Sequence, residues 1–135
     1  MGCSTLAPWD RDDLPVTLEV EARTLDEIAQ TEGLRRLDLI KVDAEGWDMH
    51  VLWGAKDSIQ AFQPLVIFEY AEGLEGARLL LKSARDWFSG LGYRLFVITR
   101  KCLMSLEEDL STKSCNILAV PAASCRLEGG AYVYR

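Results

Sequence analysis

The pattern of apolar and polar residues changes from strand-like to helix-like near the start of the chain. Every second residue is apolar over residues 16–22, which predicts a strand with one solvent-facing side. Thr24 and Glu27 then have the spacing of a capping box, in which each side chain accepts a hydrogen bond from the other residue's backbone N–H. Gly33 is suited to end the short helix that this box predicts.

Apolar runs and helical stripes alternate along the rest of the chain. One predicted helix ends before Pro64, and its apolar stripe consists of Trp47, Val51, Leu52, Ala55, Ile59 and Phe62. A second helix is predicted over residues 77–91, where the apolar stripe is the clearest in the chain. Mostly apolar runs predict strands at residues 37–42, 64–70, 93–99 and 115–120.

This order of elements predicts the fold class. Strand and helix alternate in units of about 20 to 30 residues, which is typical of an α/β protein with a parallel sheet flanked by helices. Residues 100–114 are more polar, and the spacing of Ser105 and Glu108 predicts a short helix there. Residues 122–135 carry no strong pattern, so we expect an irregular tail.

Composition excludes several classes of protein. No apolar stretch approaches the roughly 20 residues of a membrane span, and the net charge of −6 opposes binding to nucleic acid. The cysteines are too far apart to predict a zinc site, and they favour reduced thiols in a cytoplasmic protein. These cysteines are Cys3, Cys102, Cys115 and Cys125.

Charged residues gather where two predicted strands end. In open parallel sheets, ligands bind beyond the carboxyl ends of the strands, because the loops converge there. Around the end of the first buried strand lie Lys41, Asp43, Ala44 and Glu45, and Glu69 and Tyr70 end the next strand. One interpretation is a structural ion pair between the lysine and a carboxylate. The alternatives are carboxylates that orient a substrate hydroxyl, act as a base or bind a divalent cation.

Two sequence motifs add a family resemblance to this picture. The segment LDLIKVDAEG at residues 37–46, followed by VLWGA at residues 51–55, resembles the most characteristic stretch of FkbM-type methyltransferases. Weaker similarities flank it, and the resemblance covers about residues 2–121. The flanking segments are RTLD at residues 23–26, the strand at residues 64–69 and NILAVP at residues 116–121.

The resemblance implies a fold, a cofactor and residue roles. The fold would be a partial Rossmann-like class I methyltransferase sheet, mostly parallel with a C-terminal antiparallel strand. The reaction would transfer a methyl group from S-adenosylmethionine to a hydroxyl of a small molecule or glycan acceptor. Asp43, Glu45 and Lys41 match the catalytic loop, with Asp43 and Ala44 beside the cofactor. Glu69 and Tyr70 would bind the acceptor, and no metal is implied.

The chain departs from the family in one respect. No glycine-rich turn of the G-x-G type precedes residue 16, although such a turn receives the methionine end of the cofactor. Residues 1–135 are therefore expected to form a single truncated domain, the C-terminal half, that is inactive alone. The alternative is a non-catalytic half-domain that acts as an interaction module or arises from a truncated gene model. Without its neighbour, strand 37–42 would have an exposed edge, and self-association through it is expected unless residues 16–22 cover it.

Overall fold

The computed structural model describes residues 20–71, 77–106, 114–128 and 131–134, and short strands and helices alternate in them. The helices are α1 (Leu25–Thr31), α2 (Asp48–Trp53), α3 (Lys56–Phe62) and α4 (Ala77–Gly90), with a 3-10 turn at Ala122–Ser124. The strands are β1 (Leu39–Lys41), β2 (Leu65–Ala71), β3 (Tyr93–Ile98), β4 (Leu103–Ser105), β5 (Ser114–Pro121), β6 (Cys125–Glu128) and β7 (Ala131–Tyr134). None of the described helices combines the length and apolar composition that crossing a bilayer requires.

Five strands form the main sheet, in the order β1-β2-β5-β3-β4. Only β1 and β2 pair in parallel, whereas β5 is antiparallel to both β2 and β3, and β3 is antiparallel to β4. The α/β class is confirmed. The expectation of a mostly parallel sheet is wrong, because three of the four strand pairs in the described sheet are antiparallel. The reason is that β5 inserts between β2 and β3, so two strands that run in the same direction are not neighbours.

The helices cover one face of this sheet. Ile40, Val66 and Phe68 point to that face and are buried, and the Phe88 ring of α4 stacks on Phe68 with centroids 5.5 Å apart. Right-handed crossovers explain the arrangement, because the chain moves across the sheet in one direction from β1 to β2 to β3. On the opposite face Leu39 is 52% exposed. Residues Leu65, Ile67 and Leu118 are partly exposed there, whereas Phe96 and Val120 further along the sheet are buried.

The helix predicted up to Pro64 is two helices. It breaks at Gly54, whose carbonyl accepts a 3.1 Å hydrogen bond from the backbone N–H of Asp26. A Cβ at Gly54 would lie only 3.1 Å from Cγ2 of Thr24, so the start of α1 packs closely against the break. The break depends on tertiary structure, because α1 packs against Gly54. The apolar pattern of this segment alone favours one continuous helix.

Other local predictions have mixed outcomes. The capping box of α1 is confirmed, and α4, β2, β3 and β5 lie where helices and strands were expected. Residues 20–22 are not in a strand, and residues 16–19 lie outside the described part. The segment Leu103–Ser105 is a strand because it pairs with β3, although a helix was expected within residues 100–114; Glu108 of that predicted cap is not described.

The tail and part of the predicted core also differ from expectation. Residues 122–135 were expected to be irregular, but they contain the 3-10 turn and the antiparallel pair β6-β7. Trp47 and Val51, assigned to the buried stripe, are 39% and 41% exposed. Because α2 has only six residues, few of its positions face the sheet, and its buried residues are Asp48, Met49 and Leu52.

Candidate functional site

A tight turn follows β1 at the predicted site. The backbone N–H of Val42 donates to the carbonyl of Ile67 at 2.8 Å, and the chain then leaves the sheet. The turn closes where the N–H of Trp47 donates to the carbonyl of Ala44 at 3.1 Å. Between them, Glu45 and Gly46 both have positive φ, at 45° and 98°. A glutamate in this left-handed region costs about 1–2 kcal/mol, and strain of this kind concentrates at functional loops.

A buried carboxylate holds this turn against β2. Asp48 is only 4% exposed. Its Oδ2 accepts from the N–H of Ala44 at 3.3 Å, and its Oδ1 accepts from the N–H of Glu69 at 3.1 Å. One side chain therefore fixes the two loop segments at the carboxyl ends of β1 and β2. The predicted site did not include Asp48, although an acidic residue next to an apolar stripe is a signal for a buried role.

The structure brings two of the predicted residues, Lys41 and Asp43, into contact. Lys41 Nζ lies 2.7 Å from Asp43 Oδ2, and both side chains are more than half exposed, at 53% and 59%. Lys41 is level with Ile67, which lies two residues before Glu69 in β2. Glu69 is exposed as well. This ion pair is the one expected under the structural interpretation, and exposed pairs contribute only about 0–1 kcal/mol to stability.

The other predicted residues lie apart from this group. Ala44 is partly buried under the Asp48 carboxylate, and Glu45 is exposed on the turn itself. Tyr70 is 5% exposed and belongs to the core on the helix-covered face, opposite to Glu69. Its role in acceptor binding stays a prediction, and its burial favours a packing role.

A metal site does not form from these acids. In the part of the chain that the structure describes, no three histidine, cysteine or acidic side chains are grouped closely enough to hold a metal ion. Asp43, Glu45 and Glu69 therefore do not form the divalent-cation site considered as an alternative.

An aromatic row that the sequence did not suggest borders the turn. Trp47 contacts His50 with ring centroids 4.8 Å apart, and His50 contacts Trp53 at 4.9 Å. Both tryptophans are exposed, at 39% and 43%. Trp47 directly follows Gly46, so an apolar ring lies beside the strained turn and its carboxylates.

Comparison with known proteins gives one match. A family model described as the methyltransferase FkbM domain matches residues 4–95, which are 92 of the 135 residues. The matched segment contains the turn after β1 and the Asp48 carboxylate. It ends in β3, so it does not include the β5 segment that the resemblance was expected to cover. No curated protein and no solved structure matches the chain. On the strength of the family match, the chain belongs to the FkbM methyltransferase family.

Proposed function

We propose that this chain forms the acceptor side of an S-adenosylmethionine-dependent methyltransferase that methylates a hydroxyl of a small molecule or glycan. The observation that carries the proposal is the strained turn after β1, which Asp48 holds beside Glu69 within the matched family segment. Strained turns at the carboxyl end of a strand are common positions for ligand-binding residues.

The strand directions support a Rossmann-like methyltransferase sheet. β1, β2 and β3 run in one direction, and a single later strand, β5, inserts antiparallel between β2 and β3. The carboxyl ends of β1 and β2 therefore lie at the same edge of the sheet, where open α/β sheets bind ligands. Lys41, Asp43 and Glu69 lie at this edge.

Each exposed residue has a chemical role in the proposal. When bound, S-adenosylmethionine would supply the methyl group for the acceptor oxygen. Lys41 binds one oxygen of Asp43, so the second oxygen can accept a hydrogen bond from the acceptor hydroxyl and orient it. The exposed carboxylate of Glu69 can take the proton that the hydroxyl loses. The ring of Trp47 offers an apolar surface to the acceptor.

The cofactor is only partly accommodated by these residues. The turn at residues 43–46 can contact it, but the sequence has no G-x-G motif ahead of β1. We infer that the chain corresponds to the C-terminal half of the domain. Residues outside it would then hold the methionine end of S-adenosylmethionine.

Methyl transfer in a reconstructed full-length enzyme tests the function. A glycine-rich strand-turn-helix unit of the FkbM type would be joined ahead of the chain, and transfer of labelled methyl groups to small-molecule and glycan alcohols would be measured. Asp43→Asn should lower turnover at least about tenfold, equivalent to about 1.4 kcal/mol in the barrier.

Asp38→Asn is the matched control, because Asp38 also lies in an exposed ion pair, 2.7 Å from Arg36. It should leave turnover unchanged. Equal turnover in both variants and the unchanged enzyme would remove Asp43 from the proposed site, and the structural interpretation of its pairing with Lys41 would stand.

A second candidate is a non-catalytic half-domain that acts as an interaction module. The observation that favours it is the open edge of β1, which has one neighbouring strand among the described residues. The two candidates differ in one result, since an interaction module would show no methyl transfer after the missing unit is supplied.

A further inference from the structure

The Asp48 carboxylate bonds to backbone groups outside its own helix. Asp48 is the first residue of α2, a position where the helix dipole alone favours an acidic side chain. Its two oxygens nevertheless accept from the N–H of Ala44 in the turn, at 3.3 Å, and from the N–H of Glu69 in β2, at 3.1 Å. The side chain of Asp48 therefore serves the turn and β2 in addition to the start of α2.

Each of the two hydrogen bonds fixes a peptide unit beside a residue of the proposed site. A peptide unit is planar, so the bond to the N–H of Ala44 also fixes the carbonyl end of Asp43. The bond to the N–H of Glu69 fixes the backbone from which the Glu69 carboxylate extends. Because both bonds end on one rigid carboxylate, the backbones of Asp43 and Glu69 are held at a set separation.

Asp48 is itself held in place by the core. It is 4% exposed, and Met49 and Leu52 on the same short helix are buried. Burial of a carboxylate is costly unless hydrogen bonds satisfy its oxygens, as the two N–H groups do here. The turn needs such support, because Glu45 has a φ of 45°, which is unfavourable for a residue with a side chain. Asp48 is thus a fixed point to which a strained turn is attached.

We propose that Asp48 is a positioning residue for methyl transfer. In the proposed function, on which this inference rests, Asp43 orients the acceptor hydroxyl and Glu69 takes its proton, so both side chains must reach the same hydroxyl. Asp48 sets the separation of their backbones. It is too deeply buried to touch the acceptor, and it therefore acts through these two neighbours.

Asp48→Asn in the reconstructed enzyme tests the positioning role. The amide has one acceptor oxygen, so the N–H of either Ala44 or Glu69 loses its bond and the peptide beside it is released. The kcat for transfer of labelled methyl groups should fall about ten- to hundredfold, because small displacements misalign reacting groups. The KM for the acceptor should change less than about threefold, because the groups that touch the acceptor are all retained.

Asp26→Asn is the matched control. The Asp26 carboxylate also accepts from two backbone N–H groups, those of Asp57 at 3.1 Å and Ser58 at 2.8 Å, but both belong to α3. This variant loses a comparable bond, and its kcat should be unchanged. Thermal unfolding of both variants checks that they are folded at the assay temperature. An equal fall of kcat in the two variants would show a general effect of destabilisation and would overturn the positioning role.

The unchanged reconstructed enzyme separates this proposal from the proposed function. If it transfers no methyl group, the proposed function is wrong and the positioning role falls with it. If it transfers methyl groups and Asp48→Asn retains the same kcat, only the positioning role is wrong.

Hydrogen exchange of the 135-residue chain tests the geometry without catalysis. In the unchanged chain, the amides of Ala44 and Glu69 should exchange at least about tenfold more slowly than in an unfolded chain. The amide of Val42, bonded to the carbonyl of Ile67, is the internal reference and should stay protected in Asp48→Asn, where one of the other two amides loses protection. Fast exchange of both Ala44 and Glu69 in the unchanged chain would overturn the proposal, even if the variant did not fold.

Discussion

Among single residues, Asp48 contributes most to the shape of the candidate site. Its two oxygens accept from the N–H groups of Ala44 and Glu69, and it is almost fully buried. The pairing of β1 with β2 ends at Val42. The next N–H of β2 that points toward the β1 side is that of Glu69, and it therefore needs another acceptor. The Asp48 carboxylate supplies it and ties the turn to β2 at the same time.

Replacing Asp48 by asparagine should destabilise the chain. An amide has one carbonyl oxygen, so one of the two partly buried N–H groups loses its acceptor, at a cost of about 1–3 kcal/mol. Urea unfolding at pH 7 measures the change in the free energy of unfolding. Asp57→Asn, at an exposed position of α3, is the control and should cost less than about 1 kcal/mol. If Asp48→Asn lowers the free energy of unfolding by less than about 0.5 kcal/mol, the carboxylate does not hold the turn.

Between elements, Asp26 joins α1 to α3. Its Oδ2 accepts from the N–H of Asp57 at 3.1 Å, and its Oδ1 accepts from the N–H of Ser58 at 2.8 Å. These are among the first N–H groups of α3, which Ala55 leaves without a side-chain cap. The aspartate thus caps a helix other than its own, and it fixes the position of α1 beside the break at Gly54.

The pKa of Asp26 follows from this geometry. Desolvation raises the pKa most strongly among single causes, but hydrogen bonds from the Ser58 side chain and from the Ser58 and Asp57 backbones together outweigh it. The net result is a pKa below the ordinary value of 3.8. Because the folded pKa is lowered, the carboxylate stabilises the fold above the unfolded pKa, and this contribution is lost as the pH falls through the folded pKa.

Asp26→Ala should therefore destabilise the chain in a pH-dependent way. At pH 7 we expect a loss of about 0.5–2 kcal/mol, the usual cost of removing a helix cap. The difference from the unchanged chain should shrink below about pH 4, as the carboxyl group protonates. Urea unfolding from pH 7 down to pH 3 measures it, with Glu32→Ala at the exposed end of α1 as control. A difference that stays constant over this range would contradict the capping role of the charged form.

At the scale of the whole molecule, the proposed function implies that this chain contacts the cofactor from one side only. Lys41 and Asp43 lie where β1 ends, Glu69 lies near the end of β2, and the sequence has no G-x-G motif ahead of β1. A cofactor held from one side makes only part of the contacts that full affinity requires. On the half-domain proposal, we therefore expect the 135 residues alone to bind the cofactor weakly.

Calorimetry with S-adenosylmethionine tests this limit. We expect no binding tighter than about millimolar, which corresponds to about 4 kcal/mol, by the isolated chain. The reconstructed enzyme is the positive control and should bind at least about tenfold more tightly. Micromolar affinity of the isolated chain would show that residues 1–135 already form a complete cofactor site, and it would end the half-domain interpretation.

Several parts of the molecule were predictable because their signals are local. The capping box of Thr24 and Glu27 lies within four residues, and the structure contains both of its hydrogen bonds, at 2.8 Å and 3.1 Å. The stripe of α4 and the apolar runs of β2, β3 and β5 are likewise properties of short segments. The family motif at residues 37–46 also identified the turn after β1, because it specifies residue types at fixed spacing.

The sequence by itself therefore determined the α/β class, most elements, the family and the position of the candidate turn. Tertiary structure decided the break at Gly54, the insertion of β5 between β2 and β3, and the burial of Asp48. Each of these depends on contacts between residues far apart in the chain: Asp26 meets Gly54 and Ser58, Phe68 meets Ile117, and Asp48 meets Glu69. Local periodicity is insensitive to such partners, because backbone groups and carboxylates take whichever donor or acceptor the assembled fold brings to them.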